Sequence, residues 1–313
     1  MKTTDVSAFI KQVARGKHGS KDLSQDEARF VFSSLLKADA DMLQLGAFLI
    51  AQRMKGETSV ELAGFVQAAR EHISHFDTVK APVGAVDLPC YAGKRRAAHA
   101  YLIAALEARD AGIPIFVHGV KHIEGRVTAW QVLKGAGIKS ANTLREAREM
   151  MSHDGMVYMD LEDLCPDLNR IYHLRNRLGV RSFSNTVARL LNPLQCEKQL
   201  NGFFHTPYAD YMAQANVFLG QKESLIFMGA EGDPELYADR QKVVKRQVGE
   251  CIEDVSFPDS GFEPYPKQPV ENLEQIHADF QRMLDGDRTE REKVTVDRVS
   301  KAFSSVASFF VPK

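Results

Sequence analysis

Apolar and polar positions repeat at the three-to-four spacing of half-buried helices through the first 72 residues or so. Ser24-Gln25-Asp26-Glu27 is a capping box, in which the Ser hydroxyl accepts from the third helical amide and Glu27 reaches back. The segment Ala28 to Leu36 after it predicts a helix. Met42 to Arg53 predicts a second, strongly apolar one, with Leu43, Ala47, Ile50 and Met54 repeating on one face. Lys55-Gly56 ends it, glycine suiting the left-handed position past a helix terminus. Thr58-Ser59-Val60-Glu61 is another capping box and opens a helix through Arg70. Short helices with tight connections predict a small bundle-like domain.

From about Asp77 the pattern changes. Gly84 to Leu88 reads as a short strand ending at Pro89, and Ile113 to Val117 as a buried one. Val157 to Met159, Gln199 to Phe204 and Ser224 to Gly229 are further candidates. Helical stretches alternate with them: Ala97 to Asp110, Val127 to Lys134, Thr143 to Met151 and Ala209 to Leu219. Residues 258–269 hold four prolines and predict a loop. The alternation predicts an α/β fold, a small N-terminal helical domain followed by a larger domain with a largely parallel central sheet.

The 313 residues include 40 Lys+Arg, 41 Asp+Glu and 44% hydrophobic side chains, which excludes disordered, collagenous and disulfide-scaffold classes. No uncharged run approaches the ~20 residues that cross a bilayer, and Met1 to Asp5 lacks a signal peptide's apolar core. Cys90, Cys165, Cys196 and Cys251 are scattered, indicating neither a zinc site nor a disulfide framework. A cytoplasmic protein with no membrane partner is expected.

The net charge of −1 hides an asymmetry. Arg170, Arg175, Arg177, Arg181 and Arg189 lie in a stretch without an acid, as do Arg240, Lys242, Lys245 and Arg246. From Glu250 to Glu292 there are 12 acids against 4 bases. Neutrality at the level of the whole chain therefore does not exclude a polyanionic partner. Lys94-Arg95-Arg96 opens the helix predicted to reach Asp110, where cations oppose the macrodipole at ~0.3–1 kcal/mol each. That placement suggests an anion site, though the run also reads as solvated surface charge. Arg170, Arg177 and Arg181 share a face if one helix runs to Gly179, where Arg175 and Arg177 would also complement the helix terminus. Lys242, Lys245 and Arg246 have helical spacing and read equally as a surface helix face.

The stretch Gln44 to Thr58, with Glu61-Leu62-Ala63-Gly64 and Arg70, resembles the N-terminal helical domain of the anthranilate phosphoribosyltransferase family. The resemblance continues through His118-Gly119, Arg175 to Ser182, Phe183, Asn185, Leu191-Asn192-Pro193, Gly202 and Gly229 to Gly232. It implies a helical domain of residues 1–72, joined by helices returning from about 165–192, through which two copies dimerise. It further implies an α/β domain of 73–164 and 193–313.

The family's catalytic motifs are altered. Its Gly-Thr-Gly-Gly-Asp turn, which lets the backbone approach the pyrophosphate of phosphoribosyl pyrophosphate, reads Cys90-Tyr91-Ala92-Gly93-Lys94. Tyrosine cannot supply the conformational freedom and close approach of glycine. Lys-His-Gly-Asn-Arg reads Val117-His118-Gly119-Val120-Lys121, the following Ser pair falls at Glu124-Gly125, and the magnesium-binding Asp-Glu pair falls at Pro234-Glu235, beside Asp233. Trp130 replaces a small residue of the phosphate-site helix. Gly93, His118, Gly119 and Asn192 are then a vestigial substrate site, with no catalytic residue, no metal and no cofactor expected.

A subgroup of such paralogues has lost the catalytic turn and binds DNA, and this sequence resembles it. The expectation is a homodimer that binds DNA or RNA without base-specific readout. Lys94, Arg95, Arg96, Lys121, Arg170, Arg175, Arg177, Arg181, Lys242, Lys245 and Arg246 would contact phosphates, and Tyr91 could stack on bases if exposed. The alternative is an active phosphoribosyltransferase or phosphorylase with an altered phosphate donor or acceptor, under which magnesium and phosphoribosyl pyrophosphate enter as cofactors. In it Lys94, Lys121 and Arg175 would hold phosphate near His118. A dimer that docks an acidic protein is a third possibility.

Overall fold

A computed structural model describes residues 5–16, 18–204, 208–304 and the backbone of 311–312. The chain opens with α1 (Val6–Val13), α2 (Gln25–Leu36), α3 (Met42–Lys55) and α4 (Ser59–Glu71). Both capping boxes form: Glu27 N donates to Ser24 Oγ at 3.2 Å and Glu61 N to Thr58 Oγ1 at 3.2 Å. Where α2 crosses α4, a Cβ at Gly64 would lie 2.8 Å from that of Ala28, so glycine sets the closeness of the two helices. Helix α3 buries Leu45, Phe48, Leu49 and Gln52, because Phe48 meets Phe65 and Phe183 edge-on in an aromatic cluster. Its apolar stripe of Leu43, Ala47, Ile50 and Met54 is exposed instead.

Strands β1 (Val86–Cys90) and β2 (Ile115–Gly119) enclose α5 (Ala100–Asp110) in sequence. After α6 (Ala129–Gly135) come β3 (Ser140–Ala141), α7 (Leu144–Asp154) and β4 (Met156–Asp160). Four short helices follow: α8 (Leu161–Leu164), α9 (Pro166–Tyr172), α10 (Arg175–Leu178) and α11 (Ser184–Arg189). Then come β5 (Lys198–Phe203), α12 (Tyr208–Phe218), β6 (Glu223–Met228), β7 (Lys242–Val248) and β8 (Cys251–Phe257). Helices α13 (Glu274–Leu284) and α14 (Glu290–Phe303) and the short β9 (Val311–Pro312) complete the described chain.

One sheet runs β3-β4-β2-β1-β5-β6-β7-β8-β9, parallel as far as β6 and antiparallel beyond it. Helices α5, α13 and α14 cover one face, burying residues such as Tyr101, Phe280 and Phe303. On the other side α8 to α12 connect the sheet to the helical domain. Arg70 there donates to the Leu191 carbonyl at 2.8 Å, and His72 meets Asp167 at 2.7 Å. Strand β1 runs through Pro89 rather than stopping at it. Val86 donates toward β2, so by alternation the Pro89 nitrogen faces β5, whose pairing with β1 ends at Asp87.

Three local expectations are corrected here. Helix α5 begins at Ala100, so Lys94, Arg95 and Arg96 lie in the turn before it. No single helix reaches Gly179; α9 ends at Tyr172, and α10 holds only Arg175 to Leu178. Lys242, Lys245 and Arg246 lie on β7, not on a helix.

Candidate functional site

The turn between β1 and α5 is filled by the chain's own acids. Asp233 Oδ1 accepts from the Ala92 amide at 3.0 Å. Glu231 Oε1 accepts from the amides of Arg95 at 3.1 Å and Arg96 at 3.0 Å. Glu235 accepts from the Tyr101 amide at 3.2 Å and ion-pairs with Lys94. Lys94 and Glu235 have 0% and 1% of their side chains exposed, so this cation is unavailable to any external ligand. Burial pushes the Asp233 and Glu235 carboxyls above their ordinary range, against the pull of Lys94.

Beyond this turn opens a cleft of about 890 Å³ between the sheet's loop end and the helical domain. Arg95, Arg96 and Arg126 line one wall, and Arg53, Arg175, Arg181 and Arg189 line the rest, with Glu231 the one carboxylate among the lining residues. Arg53 donates to the Arg181 carbonyl at 2.8 Å and Arg126 to the Gly93 carbonyl at 2.9 Å. Backbone contacts thus aim two guanidinium groups; Arg126 also reaches Glu231 at 3.3 Å, whereas Arg53 is held, among the described residues, by a carbonyl alone. Burial, reinforced by the neighbouring Arg175 and Arg189 charges, pulls the Arg181 guanidinium down to about 10. Arg126 is lowered by burial too, against its attraction to Glu231. Such mutual repulsion marks a strongly positive site. Phe203, Phe204 and Tyr208 add rings to its lining. A second cavity of about 720 Å³ adjoins it, shares Arg175, Arg181 and Asn185, and is lined by Lys121, Glu124, Asp160 and Tyr172.

Of the expected phosphate contacts, the cleft gathers Arg95, Arg96, Arg175 and Arg181, with Lys121 in the adjoining cavity. Lys121 Nζ reaches Asp163 at 3.2 Å but its side chain stays 43% exposed. The others lie elsewhere. Arg170 donates to the carbonyls of Leu36 and Lys37 at 3.0 and 2.9 Å, satisfying the end of α2. Arg177 is exposed on α10 but lines neither cavity. On β7, Lys242 pairs with Asp239. Lys245 and Arg246 pair at 2.7 and 2.6 Å with Asp254 and Glu253, their direct opposites on β8. The acidic segment thus neutralises Lys245 and Arg246, whereas the partner of Lys242 lies before it.

The positions expected to form a vestigial substrate site make contacts within the fold. His118 is buried between Tyr91, whose hydroxyl lies 2.7 Å from Nδ1, and Asp87, whose carboxylate lies 3.3 Å from Nε2. Tyr91 is 2% exposed, which removes it as a stacking surface. A Cβ at Gly119 would run into the Cys90 carbonyl, so glycine there permits the approach of β1 to β2. Asn192 clasps its loop, exchanging 2.8 Å bonds with the Cys196 amide and carbonyl. Gly93 is buried beneath Arg126. Trp130 stacks on Tyr158 with ring centroids 4.8 Å apart.

Two cleft arginines, Arg53 and Arg126, form no part of a basic run. Arg53 was visible only inside the stretch that resembles the family's helical domain. Arg126 carries no sequence signal; the antiparallel bridge of Ile123 to itself folds it back over Gly93.

Comparison with known proteins accords with this architecture. Residues 7–73 match the model of the glycosyl transferase family helical bundle domain, and residues 97–306 that of its α/β domain. An uncharacterized protein of Aquifex aeolicus is 32% identical, over 88% of this chain and 85% of its own. The uncharacterized protein YbiB of Escherichia coli is 30% identical, over 76% and 74%. An anthranilate phosphoribosyltransferase of Erythrobacter litoralis is 30% identical over 68% of this chain and 64% of its own. The solved anthranilate phosphoribosyltransferase of Thermus thermophilus superposes with a TM-score of 0.78 at 20% identity, covering 94% of this chain and 87% of the other. With both domains matched in order and the same fold around the cleft, the chain belongs to the glycosyl transferase family that includes the anthranilate phosphoribosyltransferases.

Proposed function

We propose that this chain binds nucleic acid, DNA or RNA, without base-specific readout, as a cytoplasmic homodimer on a transferase scaffold whose substrate turn is closed. The observation that carries this reading is the cleft: seven arginines and a single carboxylate facing one cavity. A phosphodiester chain supplies anions spaced along its length, and neutralising them releases counterions, an affinity independent of base sequence. Phe204, 46% exposed, and Tyr208 offer rings on which unpaired bases can stack.

Ribosyl transfer is the less supported alternative. A yeast anthranilate phosphoribosyltransferase of the same fold, 16% identical, is known in complex with PRPP and Mg. Here the amides of residues 92, 95, 96 and 101 are already paired with Asp233, Glu231 and Glu235, and Lys94 takes up Glu235. The amide donors for a pyrophosphate are taken by these carboxylates. Of the Asp233 and Glu235 oxygens only Asp233 Oδ2 lacks a partner among the described residues, fewer than a magnesium ion bridging a pyrophosphate needs, so the residues present do not fit that group. The test is calorimetry with phosphoribosyl pyrophosphate plus magnesium beside an oligonucleotide titration at two salt concentrations. Salt-steep oligonucleotide binding without cofactor binding is expected. Cofactor binding with no oligonucleotide response would reverse the assignment.

The homodimer reading rests on the outward stripe of α3, where Leu43 and Met54 are each 81% exposed and Met42 and Ile50 45% and 37%. Apolar side chains in a row on one helix mark an interaction face. Leu43→Glu with Met54→Glu is expected to shift the sedimenting species from dimer to monomer. The secondary structure should hold, because neither side chain supports the core. A dimer surviving both charges would move the interface elsewhere.

A further inference from the structure

Glu231 is a buried carboxylate held as a bound anion would be. Its two oxygens take the Arg95 amide at 3.1 and 3.2 Å, the Arg96 amide at 3.0 Å, the Tyr265 hydroxyl at 2.8 Å and Arg126 Nη1 at 3.3 Å. An ionised carboxylate has about four acceptor positions, so these donors saturate it. Its backbone sits at φ 58°, in the left-handed region that non-glycine residues seldom adopt. The surrounding contacts hold it there. Tyr265 arrives from the proline-rich loop, which is tied down where the Val270 amide meets the Arg95 carbonyl at 2.8 Å. Consecutive backbone amides beside a guanidinium are a general anion cradle. Here the chain supplies the anion.

We propose that Glu231 determines what the cleft accepts: its carboxylate fills the cradle formed by the Arg95 and Arg96 amides and Arg126, and excludes compact phosphate groups such as pyrophosphate, leaving the arginine side chains to an extended phosphodiester. The exclusion stands on the cradle geometry alone; the extended ligand rests on the nucleic-acid reading above. Glu231 also lines the same cavity as Arg95, Arg96 and Arg126, so its charge opposes any phosphate that approaches them.

The experiment titrates inorganic pyrophosphate into the full chain by calorimetry, as wild type, Glu231→Gln and Glu231→Gly. A single-stranded oligonucleotide is titrated into the same three proteins. Glycine is at ease at this φ and vacates the cradle, while glutamine keeps one acceptor, removes the charge and puts an amide donor in place of the second oxygen. Both variants are expected to gain pyrophosphate affinity, by ~10-fold or more for Glu231→Gly and less for Glu231→Gln. Both should also bind the oligonucleotide a few-fold tighter. Adding Arg126→Ala to Glu231→Gly should remove the pyrophosphate gain, which locates it at the cradle. A folded Glu231→Gly protein that binds pyrophosphate no better than wild type overturns the exclusion. If glycine prevents folding, the same result in Glu231→Gln does so. Oligonucleotide binding absent from all three proteins removes the nucleic-acid reading and leaves a pyrophosphate gain, where seen, to stand for the exclusion.

Discussion

Reversing Arg175 and Arg181 together to glutamate is expected to weaken oligonucleotide binding by roughly 25-fold or more at 0.1 M salt, equally for unrelated base sequences. Each phosphate contact to a single strand contributes about 0.7 to the slope of log affinity against log salt. Losing two lowers that slope by about 1.4, which between 1 M and 0.1 M salt is a factor of roughly 25, before the new repulsion is counted. These two arginines lie where both cavities meet, so they bear on any strand crossing the cleft. Neither is needed by the fold through its charge. Arg175 is exposed on α10, and it is the Arg181 carbonyl, kept in the variant, that Arg53 binds. Reversing Lys245 and Arg246 instead should leave the salt slope unchanged, since Asp254 and Glu253 already neutralise them. Fluorescence anisotropy at two salt concentrations on two sequences separates these outcomes. An unchanged slope in the cleft variant would remove Arg175 and Arg181 from the interface.

The contrast between these two basic clusters shows how far the sequence could be read. Capping boxes and strand alternation are local, and Ser24, Thr58 and strands β1, β2, β4, β5 and β6 fall close to where the pattern predicts them, whereas the two-residue β3 carries no such pattern. A spacing of three and four between cations is also local, but it fits a helix face and a strand end equally. Only pairing with β8 decides for the strand in β7, and that pairing brings the neutralising acids with it. The family resemblance points to the altered turn. It could not tell that Lys94 turns inward while Arg95 and Arg96 line the cleft, because the deciding partner, Glu235, is 141 residues away. Single cations such as Arg53 and Arg126 acquire meaning only when the domains close around one cavity. The outward face of α3 teaches the same lesson from the apolar side. A period identifies a stripe, whereas Phe48 in the aromatic cluster determines which stripe is inside.

Lys94 consequently belongs to stability rather than to binding, and replacing it should have the largest effect on the fold. Lys94→Met removes the partner of a carboxylate whose side chain is 1% exposed. Breaking a buried ion pair from one side costs about 3–5 kcal/mol, because the remaining charge is stranded. At ~2–4 °C per kcal/mol the melting temperature should fall by roughly 6–20 °C. The loss has a predictable pH dependence. Burial already raises the Glu235 carboxyl, and Lys94 is the main group holding it down. Without the lysine its folded pKa rises further above the unfolded value, so the folded protein binds the extra proton. The variant is then closest to wild type at low pH, where both states are protonated. It loses stability as pH rises through the unfolded carboxyl range, until the folded group ionises as well. Thermal melts at pH 5 and pH 8 should therefore show the wider gap at pH 8. Adding Glu235→Gln, which keeps an acceptor for the Tyr101 amide, should restore more than half of the loss and remove its pH dependence. A Lys94→Met protein that melts like wild type at pH 8 would mean that Glu235 is not stranded. The internal neutralisation of the turn between β1 and α5, on which the closed-turn reading depends, would fall with it.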